Sequence, residues 1–226
     1  MYTRNSSDLK KDSIKKLANN WPMAILVSFL TYSLLGGINF NNGLRKVNIK
    51  IFSFQFQQNI DYNFGWGITS IILSILLMIV IGSLYKGASF FFLNIVRGNK
   101  GTFSQFLTGF NGWGRAFLAN LLIGIFVMLL TILLIIPGII AIYRYSMTFY
   151  ILNDYDDISA LDAIELSSDM MRGHKFDLFC VQLSLIGWAI LSVITLGLGG
   201  IFLSPYYRTI VAEFYEDVKF DYEKNK

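Results

Sequence analysis

The stretch LLTILLIIPGIIAIYRYSMTFYILND, residues 129–154, decides how the chain is read. It is almost wholly apolar, carries Pro137-Gly138 in its middle and places Arg144 seven residues past the proline. Holding an arginine against lipid at mid-bilayer costs about 3 kcal/mol or more. Two readings satisfy that constraint. In the first, the chain reverses at Pro137-Gly138 and Arg144 sits on a returning helix, facing a polar interior. In the second, 129–143 is one kinked helix and Arg144 snorkels to a headgroup. The tract just before, 116–136 (AFLANLLIGIFVMLLTILLII), is uncharged. At 1.5 Å per residue it already covers the ~30 Å of a bilayer core. We therefore adopt the reversal, with 138–152 as the return.

The same arrangement recurs along the chain. Residues 66–85 and 178–196 are comparable apolar runs, and 22–38 is a shorter one. Residues 200–215 form a second return, entered through glycines at 197–200 and holding Pro205 and Arg208. Of the 226 residues, 54% are hydrophobic and 15% charged, against about 25% charged in soluble domains. The expected fold is all-α: one polytopic membrane domain, a bundle of about six transmembrane helices in three hairpins, with interfacial amphipathic helices. Run 22–38 follows a polar, basic segment and precedes no small-x-small cleavage site, so it reads as a first span rather than a signal peptide.

Fourteen Lys and Arg fall in 1–21, 86–115, 153–177 and the tail 216–226, and three in 39–65. That imbalance orients both termini to the cytoplasm and makes 39–65 an outer loop. The net charge of +4 is thereby used by topology and is not a nucleic-acid signal. In the basic helix of 1–21, Ile14, Leu17, Ala18 and Trp21 share one face.

A repeat underlies the pattern. Leu122-Ile123-Gly124 returns as Leu185-Ile186-Gly187, and Tyr143-Arg144-x5-Tyr150 as Tyr207-Arg208-x5-Phe214. Tyr85-Lys86-x5-Phe92 offers a third copy, and chance matching is the competing account in so aromatic a chain. Thr102-x-x-Gln105 and Ser159-x-x-Asp162 are helix-opening patterns that precede the two clearer units. The repeat nominates Arg144 and Arg208, with Tyr143 and Tyr207 beside them, as a buried polar or anion-binding site. Asn120, Gln182, Ser146, Ser184 and the carbonyls freed near Pro137 and Pro205 would be its acceptors. Glu213 is expected at the inner interface.

Residues 158–173 form an amphipathic helix on the cytoplasmic side. Leu161, Ile164, Ser168 and Met171 line one face, and Asp162, Glu165 and Asp169 another. It either packs beneath the bundle or docks a cytosolic protein, with Met170-Met171 as adaptable contacts. His174 and Cys180, the single His and Cys, cannot make a metal site, and no HExxH, GxSxG or P-loop occurs. No catalytic residue, cofactor or metal is expected. His174 reads as solvated or headgroup-facing, and Cys180 as a small core residue.

The strings Ala163-Ile164, Ser167-Ser168-Asp169-Met170-Met171-Arg172-Gly173-His174-Lys175, Ser184-Leu185-Ile186-Gly187-Trp188 and Pro205-Tyr206, with Ile136-Pro137-Gly138-Ile139 and Tyr143…Ser146-Met147, carry a resemblance. They are similar to a bacterial membrane-protein family common in Firmicutes, the domain of unknown function numbered nine hundred and seventy-five. The likeness is strongest from about 85 to 217. Leu185 stands where the family pattern has Phe, and 39–65 lies outside it. The resemblance implies a multi-pass membrane protein and supplies no activity. Three functions compete: a non-enzymatic plasma-membrane scaffold, regulator or self-protection factor; a small transporter or channel for an anionic solute or lipid; and, last, an intramembrane enzyme. Membrane lipids are the expected partners, with a protein at 158–173 the further possibility.

Overall fold

In the computed structural model, which describes residues 5–36, 64–195 and 198–225, every regular element is helical. All but the last two positions of the expected outer loop 39–65 lie outside the described residues. The elements are α1 (Ser6–Leu17), α2 (Trp21–Gly36), α3 (Phe64–Val96), α4 (Phe103–Leu107), α5 (Trp113–Leu133), α6 (Ile135–Arg144), α7 (Thr148–Asp154), α8 (Ala160–Met170), α9 (Lys175–Leu183), α10 (Ile186–Ile194) and α11 (Leu198–Lys224). Among the described residues, four stretches are long and apolar enough to cross a membrane: Met78–Val96, Trp113–Leu133, Ile135–Asp154 and Lys175–Ser192. Trp21–Thr31 is apolar but shorter.

The chain reverses after α5, and it does so at Leu134 rather than at Pro137-Gly138. Leu134 alone leaves the helix, with φ −158° and ψ 138°. Pro137 is the third residue of α6, where a backbone N–H would have no intrahelical partner, so the proline costs nothing there. Gly138 is needed for closeness: a Cβ on it would lie 2.8 Å from Thr131 Cα. Further down the pair, the Phe126 ring meets Tyr145 at 6.0 Å, so the two helices run antiparallel. Their tip, Ile132 to Ile136, is 63–73% exposed.

The core lies away from that tip. It is built from the second halves of α3 and α11 and from α7, which α3 joins by packing against both. Phe92, Tyr150 and Phe214, the aromatic position of the three proposed repeats, are all buried. α3 reaches its neighbours backbone to backbone: Gly87 and Gly109 touch so closely that a Cβ on either would strike the opposite main chain.

Four expectations need correction. The span expected to end at 85 continues to Val96, because Ala88, Phe91, Phe92 and Ile95 have an apolar face to bury. The expected tail 216–226 is helical to Lys224, with Val218 and Asp221 buried. In α1 the buried face is Leu9, Ser13 and Leu17, at a spacing of four, and Ile14 is 49% exposed, because α11, α3 and α9 all lie on the Leu9 side. In α8, Leu161 points outward while Ala160, Ala163 and Ser167 point in. Met170 and Met171 are buried, so they are not contacts for a partner.

Candidate functional site

Consecutive residues on a helix diverge by about 100°, and that angle separates Tyr143 from Arg144. Tyr143 turns into the bundle. Its hydroxyl donates to Gln182 Oε1 at 2.7 Å, and Gln182 Nε2 donates to the Tyr207 hydroxyl at 2.6 Å. Thus α6, α9 and α11 are tied by one polar chain through the two repeat-related tyrosines. Gln182, nominated from the sequence as an interior acceptor, is its bridge. Arg208, next along α11, is half-buried, and its charge acts on Tyr85, Tyr150 and Tyr207. Tyr150 in turn shares a hydrogen bond with Ser89 and stacks on Tyr215 at 5.2 Å.

Arg144 goes elsewhere. It is exposed, its Nε donates to Ser168 Oγ, and its guanidinium lies 5.7 Å from the centre of the Tyr145 ring. The expectation that it faces a shared interior with Arg208 is therefore corrected. The reason is local. α6 ends at Arg144, whose carbonyl accepts from Ser167 Oγ at 3.0 Å. The same Oγ accepts from the Met147 N–H at 3.2 Å. Ser167 and Ser168 thus fix the end of α6 against α8, and Arg144 is left on the outer side of that joint. There it borders an open cleft of about 500 Å³ between α5, the end of α6 and α8. Phe126, Leu161 and Ile164 supply the cleft's apolar wall, and Asp162 and Glu165 its carboxylates. The third copy's cation behaves differently again: Lys86 Nζ donates to the Asn111 carbonyl at 2.8 Å.

The larger concentration of buried charge escaped the sequence reading. Asp154, at the end of α7, has a side chain 5% exposed and accepts from Arg97 at 2.8 Å, Lys219 at 2.7 Å and the Tyr215 hydroxyl at 2.9 Å. Arg97 also reaches Glu216 at 2.7 Å. Burial works against the Arg97 and Lys219 charges. The acids beside them outweigh it and hold both groups above their ordinary values. Glu213, expected at the interface, is instead buried and meets Lys16 of α1 at 2.6 Å. His174, expected in solvent, is 4% exposed and sits between Asp221, 3.2 Å from Nε2, and Asp177, 3.4 Å from Nδ1. The missed signal was the spacing of Glu213, Glu216, Asp217 and Asp221. These acids recur every three to four residues, which marks a charged helix face continuing α11 rather than a tail. Among the described residues no group of three or more His, Cys, Asp or Glu could hold a metal ion.

Residues 123–221 match the family described as "Protein of unknown function (DUF975)". That range holds the α5–α6 reversal, the Tyr143–Gln182–Tyr207 chain, Arg144, Arg208, and the Lys219–Asp154 and His174–Asp221 pairs. No curated protein and no solved structure matches the chain.

Proposed function

Taking as premise that residues 123–221 carry the pattern of that family, we propose that the chain is a multi-pass plasma-membrane protein of a bacterium, both termini cytoplasmic, acting without catalysis as a scaffold, regulator or self-protection factor. One observation carries this reading. Among the described residues, polar side chains from different helices pair with one another, in the Tyr143–Gln182–Tyr207 chain, the Asp154 cluster and the Lys16–Glu213 pair. Each of these contacts ties separate helices together, as an element built to hold its shape requires.

A second reading, transport of an anionic solute or lipid, has Arg208 in its favour. This half-buried cation faces tyrosines from α3, α7 and α11, and a charge so placed is a feature of substrate paths. Flux into proteoliposomes separates the two. Uptake of labelled phosphate or organic anions no faster than in protein-free vesicles supports the scaffold. Uptake abolished by Arg208→Gln in a folded protein overturns it. Orientation is tested by single cysteines at Asn99 and Asn225, which an impermeant thiol reagent should reach only after the membrane is opened.

A further inference from the structure

We propose that the cleft between α5, the end of α6 and α8 binds a phospholipid whose headgroup carries both a phosphate and a primary amine, the chemistry of phosphatidylethanolamine. The inference rests on the membrane reading above and holds whether the protein scaffolds or transports.

The cleft is dipolar. Arg144, Asp162 and Glu165 all line it, yet Arg144 makes no ion pair with either carboxylate within 4.0 Å among the described residues. Charges of opposite sign that line one cleft without pairing complement a ligand that carries both signs. A simple anion would meet the two carboxylates, and a simple cation would meet Arg144. Ser168 Oγ, beside the Arg144 guanidinium, adds a polar contact for a phosphate oxygen. A primary ammonium has three N–H donors for the Glu165 and Asp162 oxygens, and a quaternary one has none.

The rest of the ligand is set by what adjoins the cleft. Phe126 and Leu161 give it an apolar wall. On both sides of Phe126 the hairpin exposes apolar residues, with Ile125 43%, Met128 64% and Leu129 60% exposed, continuing to the Ile132–Ile136 tip. Acyl chains leaving a headgroup in the cleft run directly onto that face. A water-soluble zwitterion would leave it bare.

The test uses the purified full-length chain in detergent, by native mass spectrometry with equal amounts of phosphatidylethanolamine, phosphatidylcholine and phosphatidylglycerol of identical acyl chains. Phosphatidylethanolamine should be retained over both others. Arg144→Gln should weaken its retention about tenfold, the worth of one hydrogen bond to a charged group. Glu165→Gln, at an exposed position, should bring it down to the level of phosphatidylglycerol. Arg172→Gln, outside the cleft, should change nothing, and free phosphoethanolamine should not be retained. Phosphatidylglycerol held as well as phosphatidylethanolamine by the unaltered protein overturns the proposal. So does phosphatidylethanolamine retention that both cleft variants leave intact, that Arg172→Gln reduces equally, or that the free headgroup matches. Unchanged circular dichroism and melting temperature of the variants exclude misfolding as the cause. Because binding is read without flux, its failure leaves the scaffold reading standing.

Discussion

Asp154→Asn probes the ion cluster with almost no change of shape. The carboxylate accepts from two cations and a phenol, and its side chain is 5% exposed. The amide keeps one acceptor oxygen but turns an N–H₂ group toward ammonium and guanidinium hydrogens. Removing one member of a fully buried ion pair costs about 3–5 kcal/mol. Two features lower the figure here. Arg97 and Lys219 are 35% and 22% exposed, so water reaches both, and Arg97 keeps Glu216 at 2.7 Å. We expect about 3 kcal/mol, near the low end. For a chain of this length that corresponds to a fall in Tm of about 6–12 °C. Tryptophan-fluorescence melting in detergent measures it. Asp154→Asn/Lys219→Met should recover part of the loss, because one of the two stranded cations is gone. A Tm for Asp154→Asn within about 1 °C of the unaltered protein would refute the reasoning, since it leaves well under 1 kcal/mol for the whole cluster.

Gly138→Val should destabilise the α5–α6 pair by about 1–3 kcal/mol, as overpacking does, because its side chain must displace Thr131; a melting curve reports it. Gln182→Leu should cost about 2 kcal/mol by leaving the Tyr143 and Tyr207 hydroxyls without their bridge, whereas Arg144→Gln, an exposed substitution that gives up one hydrogen bond to Ser168, should cost less than about 1 kcal/mol. Equal losses in a melting experiment would place Arg144 inside after all. Lys219, held above its ordinary value by Asp154 once burial is outweighed, contributes stability that is complete below the unfolded lysine value of about 10.4 and falls as pH rises past it. The Tm difference between the unaltered protein and Lys219→Met should therefore persist to about pH 10.4 and shrink above it.

Run length and the absence of charge carried the spans and the reversal. An uncharged run already long enough to cross, followed by a second run too short to be anything but its return, leaves few arrangements, and α5 with α6–α7 adopts the reversal. The turn fell at Leu134 because the breaking residue need not be the proline. Pro137 is comfortable in the first turn of α6, and the reversal takes the residue just before that turn. Tyr143, Gln182 and Tyr207 were legible because an apolar span can tolerate a polar side chain only by pairing it. Arg144 was misplaced for a related reason. Its burial was inferred from the cost of facing lipid, but α8 folds up against the end of α6 and offers Ser168 at that position. No periodicity in 135–154 encodes where a helix twenty residues later will pack. The ion pairs of α11 were missed because Glu213 looks like an interfacial residue, and Glu216 and Asp221 like a solvated tail, until Lys16, Arg97 and His174 supply their partners.

Lys16 and Glu213 stand almost a whole chain apart, and that separation sets the order of assembly. α1 leaves the ribosome well before α11 exists. Until Glu213 has been made, the Leu9–Leu17 face lacks the helix it lies on, and the amphipathic helix has only α3 and then α9 to rest against. The reversal at Leu134 needs no such delay, since α5 and α6 are neighbours in sequence and can close as soon as both are present. Synthesis therefore proceeds from finished pairs to an unfinished bundle, and the contact between the first described helix and the last forms at the end. A chain released early has sound hairpins and lacks that contact.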